Sequence, residues 1–363
     1  MTLVKAIAPF QSLVKGTLAY RAIRYGYANS RTKAMRATLL SKKETESLID
    51  AKNIQEIIGL LSRTSYSADL IEEAVAFSRA DLVEIALTKN FSRTLKKLVK
   101  ISPKGDSEKI KRVFERYDVL NVKNLLLGIH LKEPKQKIKA LLIESPAFNK
   151  AGLNSLAEST SIKELVEKLK NTDYYSALAG KVLDYEKNRE IGLLVSALET
   201  YYHKKALGGE ARSTDLGLAV KSMLEAECDA KNIMLVLRGK KEGFEEKKIR
   251  AMLIEGGKMT NAEIEKIVAA KSVEDAVKTL KRFDLANSLE SYRKDHSLVH
   301  FENELEQGIS QRGLSELRRS VLSLSAIVGF LFLKEKEVSD VRKIVRPKEF
   351  GFAPEEIRKL VAL

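Results

Sequence analysis

The sequence predicts an all-α protein, and three observations carry that prediction. The chain is rich in Ala, Leu, Glu, Lys and Ile, with 6 Pro and no Trp, a composition that favours helix over strand. Apolar residues recur at three- and four-residue spacing, with no sustained period-two alternation and no Asn-Gly or Asp-Gly hairpin signal. Long segments also repeat one another at an interval near 110 residues, the mark of a repeated supersecondary unit.

The repeat is clearest between Asp118–Leu169 and Asp229–Leu280, which align without a gap at an offset of 111 and share 14 identities over 52 positions. These include Asp118/Asp229, Asn121/Asn232, Gly128/Gly239, Ile138/Ile249 and Ser161/Ser272. Each copy opens with an Asp-x-x-Asn helix (Asp118–Leu127; Asp229–Arg238) that is expected to stop near its glycine. A charged connector leads to a short apolar helix (Ile138–Ile143; Ile249–Ile254), broken by Ser145-Pro146 or Gly256-Gly257. A further short helix carries Leu153 and Leu156, or Ile264 and Ile267. Then Ser161 or Ser272 caps an amphipathic helix, with an acid three residues on.

A worn first copy precedes these. Asn53–Leu61 repeats the capped helix at an offset of 108, and Thr64 and Tyr66 continue the match to Thr172 and Tyr174. Its opening helix is expected over Tyr25–Leu40. A fourth opening helix lies near the C-terminus: residues 332–352 fall on 224–244, with Glu335/Glu227, Arg346/Arg238, Gly351/Gly243 and Phe352/Phe244 identical. The expected organisation is therefore unit 1 over 1–110, unit 2 over 111–221, unit 3 over 222–330 and C-terminal helices over 331–363. Three such units can close around a pseudo-threefold axis or stack as an open solenoid. The fourth opening helix favours closure, with 331–363 docking onto unit 1.

Lys and Arg number 64 against 49 Asp and Glu. Residues 1–43 hold nine of the cations, among them Lys5, Lys15, Arg21, Arg24, Arg31 and Arg36, and no acid. The stretch from Lys89 to Tyr117 is also basic. Such fields attract nucleic acid, anionic lipid or acidic proteins. No secretory signal is expected, because Lys5, Pro9, Gln11 and Lys15 interrupt Leu3–Leu18. The longest apolar run, Val321–Leu333, is too short to span a bilayer and reads as a buried helix.

Chemistry-bearing patterns are sparse. Glu255-Gly256-Gly257-Lys258-Met259 is not a phosphate loop, since Met252 and Met259 stand where a glycine and a hydroxyl are needed. His296 and His300 are four apart and would share a helix face, with Glu302 and Glu304 nearby, but Ser297 replaces the glutamate a zinc protease needs. The lone Cys228 lies in a repeat helix with no base in view and reads as a packed small residue. Asp118/Asn121 and Asp229/Asn232 recur, which points to a shared structural role. No catalytic, cofactor-binding or metal-binding residue is expected.

The segments Tyr25-Gly-Tyr-Ala-Asn-Ser-Arg-Thr-Lys-Ala-Met35, Val236-Leu-Arg-Gly-Lys240 and Leu333-Lys-Glu-Lys-Glu-Val-Ser-Asp-Val-Arg-Lys-Ile-Val345 resemble the C subunit of A-type ATP synthases, whose eukaryotic relative is the d subunit of the vacuolar ATPase. Pro347 departs from the pattern, standing where the repeat has Gly239. The resemblance implies a funnel of three similar helical domains on the cytoplasmic face of the cell membrane, seated peripherally on the proteolipid ring and receiving the central stalk. It implies a non-catalytic rotor part that couples proton or sodium flow to ATP synthesis, with no cofactor. Net charge alone supports the rival reading, a basic helical-repeat protein that binds nucleic acid; the matched repeat positions are apolar or Asp/Asn rather than stacking aromatics or Arg, so no nucleic acid is expected.

Overall fold

The computed structural model describes residues 18–103, 106–145, 147–208, 215–319 and 322–361. Among these, every regular element is a helix. In order they are α1 (Leu18–Arg36), α2 (Lys42–Asp50), α3 (Ile54–Leu61), α4 (Ser67–Glu73) and α5 (Arg79–Ile101). Next come α6 (Ser107–His130), α7 (Lys135–Ala140), α8 (Lys150–Ala157), α9 (Ile162–Lys168), α10 (Asp173–Leu178), α11 (Val182–Asn188) and α12 (Ile191–Gly208). The last are α13 (Asp215–Lys241), α14 (Glu246–Ala251), α15 (Asn261–Ala269), α16 (Val273–Thr279), α17 (Ala286–Asp295), α18 (Val299–Arg319), α19 (Ser325–Glu349) and α20 (Pro354–Leu360). A 3₁₀ turn, Ala179–Lys181, joins α10 to α11.

Local signals start the short helices at matching points. Asn53, Ser161 and Ser272 each accept a hydrogen bond from the backbone N–H three residues on, at 3.0–3.1 Å. Ser41, Asn149 and Thr260 do the same for α2, α8 and α15. Each such cap satisfies an otherwise orphaned donor and contributes about 1 kcal/mol.

The long helices end near the glycines, two residues past them: α6 runs on from Gly128 to His130 and α13 from Gly239 to Lys241. The stop comes at Lys132, Gly243 and Gly351, which take left-handed backbone angles (φ 54, 71 and 81°). The following N–H then reaches back to Gly128, Gly239 or Pro347 carbonyl at 2.9, 2.8 and 3.0 Å. Pro347 thus serves as acceptor where its equivalents are glycine. The interior glycines serve a different purpose. A Cβ on Gly128 or Gly239 would lie 2.7–2.8 Å from Ile138 or Ile249, so their lack of one lets α7 and α14 press against the long helix.

Three apolar cores result. One joins Val122, Leu126, Leu165 and Leu198 from α6 to α12. Another joins Ile233, Leu237, Ile267 and Phe301 from α13 to α18. In the remaining core Ile49, Ile57 and Leu87 meet Ile327, Leu331, Ile344 and Ile357 from α19 and α20. The Leu324–Leu331 part of the apolar run therefore lies in a core; Val321 falls outside the described residues, as do Lys5, Lys15 and Pro146. The contacts follow one scheme. α6 packs on α7, α8, α9 and α12, and α13 on α14, α15, α16 and α18. α19 packs on α20, α2, α3 and α5 in the same way. The position expected for a first opening helix over Tyr25–Leu40 is therefore taken by α19. α1 ends at Arg36 and is an added helix against α19 and α5.

Candidate functional site: where the long helices meet

The repeated Asp-x-x-Asn pairs hold the connector that follows their helix. Asn121 donates to Ile143 carbonyl (2.6 Å) and accepts from its N–H (2.8 Å). Asn232 treats Ile254 identically, at 2.8 Å both ways. Asp118 accepts from Ser145, Ala147 N–H and Tyr174, and Asp229 from Met259 N–H at 2.9 Å. Burial pushes both carboxyls above their ordinary range, against these bonds. A Cβ on Gly257 would stand 2.1 Å from Asp229 Oδ1, so the Gly-Gly break lets the connector close on that carboxylate.

In α19 the corresponding residues are Glu337 and Asp340. Glu337 accepts from Leu40 N–H, from Tyr66 Oη at 2.5 Å and from Lys334 at 2.7 Å. The clasp extends along the helix. Arg346 reaches Asp81 and Glu84 at 2.5–2.6 Å, Lys348 donates to Ile49 carbonyl at 2.8 Å, and Arg358 of α20 pairs with Asp50.

The other singled-out residues lie apart. Cys228 is buried, donates to Ile254 carbonyl, and has its thiol pushed up to about 12, mainly by burial and then by Asp229. His296 and His300 do not share a helix: His296 ends α17 with a left-handed φ of 54°, whereas His300 is in α18 beside Asp295. His130 meets Tyr185, and His203 is buried against Glu199 carbonyl. Among the described residues no cluster of three metal-ligating side chains forms. Arg24 of the basic N-terminal stretch is committed to Asp106 at 2.6 Å, while Arg31 and Arg36 are exposed.

The functional geometry lies where α6, α13 and α19 converge. Arg116, Glu227 and Glu335 occupy the same register in those helices, being 111 and 108 residues apart. They touch one another: Arg116 lies 3.0 Å from Glu227 and 3.3 Å from Glu335. Burial works against the Arg116 charge, but the two carboxylates outweigh it and hold the guanidinium protonated. Burial raises Glu335 in spite of Arg116, and Tyr117 donates to it at 2.5 Å. Register-equivalent residues of three long helices thus meet in one cluster. The Glu227/Glu335 identity is visible in the sequence, but Arg116 is not, because unlike residues leave no trace in an identity search.

Beside this cluster opens a cavity of about 750 Å³, lined by Met223, Met234, Leu305, Phe332 and Leu333 among others. Glu199 faces it from α12, clamped by Lys123 of α6 and Lys231 of α13, each at 2.5 Å. Burial opposes the Glu199 charge, yet the two lysines hold its carboxyl at about 2. The wall is thus mostly apolar, with most of its charges fixed in pairs. Methionines there give an adaptable contact surface of the kind that accepts a helix.

These features define a class: an all-helical repeat protein whose equivalent long helices converge on one half-buried charge cluster and a cavity. A family model described as ATP synthase (C/AC39) subunit matches residues 28–360, and the chain belongs to that family. It is 25% identical to the A-type ATP synthase C subunit of Methanocaldococcus jannaschii over 345 residues, covering 93% of this chain and 86% of that one. Against the same subunit of Methanosarcina mazei identity is 30%, over 92% of this chain and 91% of the relative. For Pyrococcus furiosus it is 26%, over 99% and 96%. No helix of the described residues is long and apolar enough to cross a membrane.

Proposed function

We propose that this chain is the non-catalytic central-rotor subunit of an A-type ATP synthase. Three helical units, the first completed by α19 and α20, surround a pseudo-threefold axis to form a funnel. The funnel sits peripherally on the cytoplasmic side of the membrane, on the proteolipid ring, and receives the central stalk, so coupling proton or sodium flow to ATP synthesis. It needs no cofactor, metal or catalytic residue of its own. The observation that carries this reading is the meeting of Arg116, Glu227 and Glu335, same-register residues from three helices, next to an apolar cavity. Family membership supports the same assignment. A torque-bearing part must be stiff, and three close-packed cores joined by ion pairs supply stiffness.

The test is affinity purification of the tagged chain from a native membrane fraction. Catalytic, stalk and proteolipid subunits should co-purify. A cysteine placed at Phe332 or Leu333 should cross-link to a stalk subunit, whereas one at the exposed Val75 should not. Recovery of the chain free of these subunits would reject the proposal. Charge reversal of Arg31, Lys33 and Arg36, all exposed on α1, should weaken retention by the membrane sector.

A further inference from the structure

A second cavity, of about 610 Å³, lies between α5, α6, α18 and α19. Its charged lining is Arg116, Arg342, Lys343 and Arg346 against Glu302 and Glu335. Nearly all of these are matched. Arg116 holds Glu335 and Glu227, Lys343 holds Glu306 at 2.5 Å, Arg346 holds Asp81 and Glu84, and Glu302 accepts from Arg238 at 2.9 Å. Arg342 is the exception. Among the described residues no carboxylate is in ion-pair contact with it. Its guanidinium donates from Nη2 to Thr88 Oγ1 at 2.8 Å, which leaves further N–H donors of its five on the cavity side. Burial weakens its hold on the proton, and Glu84 and Tyr66 offset that only partly.

A half-buried guanidinium that lines a cleft, with no carboxylate in contact, has donors free for an anion. We propose that this cleft binds a small oxyanion of the phosphate class, held on the Arg342 guanidinium. The planar fork of an arginine matches two oxygens of a phosphate, and the bonds are charge-assisted. At pH 7 an inorganic phosphate carries more charge and more acceptor oxygens than a carboxylate, so it holds these donors more tightly.

The experiment is titration calorimetry of the full chain at pH 7 with sodium phosphate, sodium acetate and sodium chloride at matched ionic strength. Saturable binding of phosphate, at least tenfold tighter than acetate, is expected. Arg342→Gln should weaken it at least tenfold, while Arg31→Gln on exposed α1 should leave it unchanged. Heats for phosphate no different from those for chloride or acetate would overturn the proposal. So would an unchanged phosphate affinity in Arg342→Gln. Should Arg342→Gln not fold, Arg342→Lys is read instead, since a lysine keeps the charge but loses the fork: severalfold weaker binding supports the site, and equal binding overturns it.

Discussion

Arg116 shows how one side chain sets the balance of a partly buried cluster. It neutralises two glutamates that come from different helices, and all three side chains keep 14–23% of their surface exposed. Removing one partner of a fully buried pair costs about 3–5 kcal/mol, because the remaining charge is stranded. Water still reaches this cluster, so Arg116→Met should lose less, about 1–3 kcal/mol at pH 7 in urea unfolding. The sign of the pH effect follows from Glu335, whose folded pKa already lies above its ordinary value. For such a group the charged form is disfavoured in the folded state above the unfolded pKa, and the penalty fades as pH falls through the raised folded value. Arg116→Met raises that value further, so part of its loss should be recovered near pH 5. A loss below about 1 kcal/mol, the same at pH 7 and 5, would show that the cluster is solvent-screened instead. Glu199 behaves oppositely. Its carboxyl is held at about 2, so its contribution is present in full above the ordinary glutamate range and is lost progressively as pH falls from that range to about 2.

Elements are where the sequence reading and the structure differ most instructively. The capped helices at Asn53, Ser161 and Ser272 are legible in the sequence because a cap is a local event, written within four residues. The packing role of Gly128 and Gly239 is not. Each stands near a helix end, as expected, yet is also a contact site for an isoleucine ten residues further on, and only the folded arrangement reveals that. A substitution separates the two roles. Gly239→Val gains a few tenths of a kcal/mol in helix propensity. It also drives a branched side chain into Ile249, an overpacking cost of about 1–3 kcal/mol. Net destabilisation is expected in urea, partly relieved by adding Ile249→Ala. Were Gly239 only a helix end, Ile249→Ala would add its own cavity cost with no relief. Recurrence alone marks the polar Asp/Asn pairs as structural. Their partners, the Ile143 and Ile254 backbone, belong to a connector that hydrophobic periodicity does not describe.

On the scale of the whole molecule, α19 and α20 close the chain's ends on each other. Deleting residues 325–361 would strip Ile327, Leu331, Ile344 and Ile357 from the core they share with Ile49, Ile57 and Leu87. The expected result is a fall in Tm of more than about 10 °C with loss of a cooperative transition from the N-terminal core; an unchanged melting curve would show that α19 only rests on that core. The 108-residue match of 332–352 to 224–244 marks α19 as a counterpart of α13, whereas the role of α1 is hidden because its sequence shares no register with the long helices. The Arg116, Glu227 and Glu335 cluster has a consequence for how such a chain can exist at all. Three identical helices carrying a charge at this register would bring like charges, three arginines or three glutamates, into contact, and other interactions would have to offset the repulsion. Within one chain each position can change by itself, so an arginine here meets two glutamates. Divergence between the repeats at this register is what lets their long helices meet on charged residues.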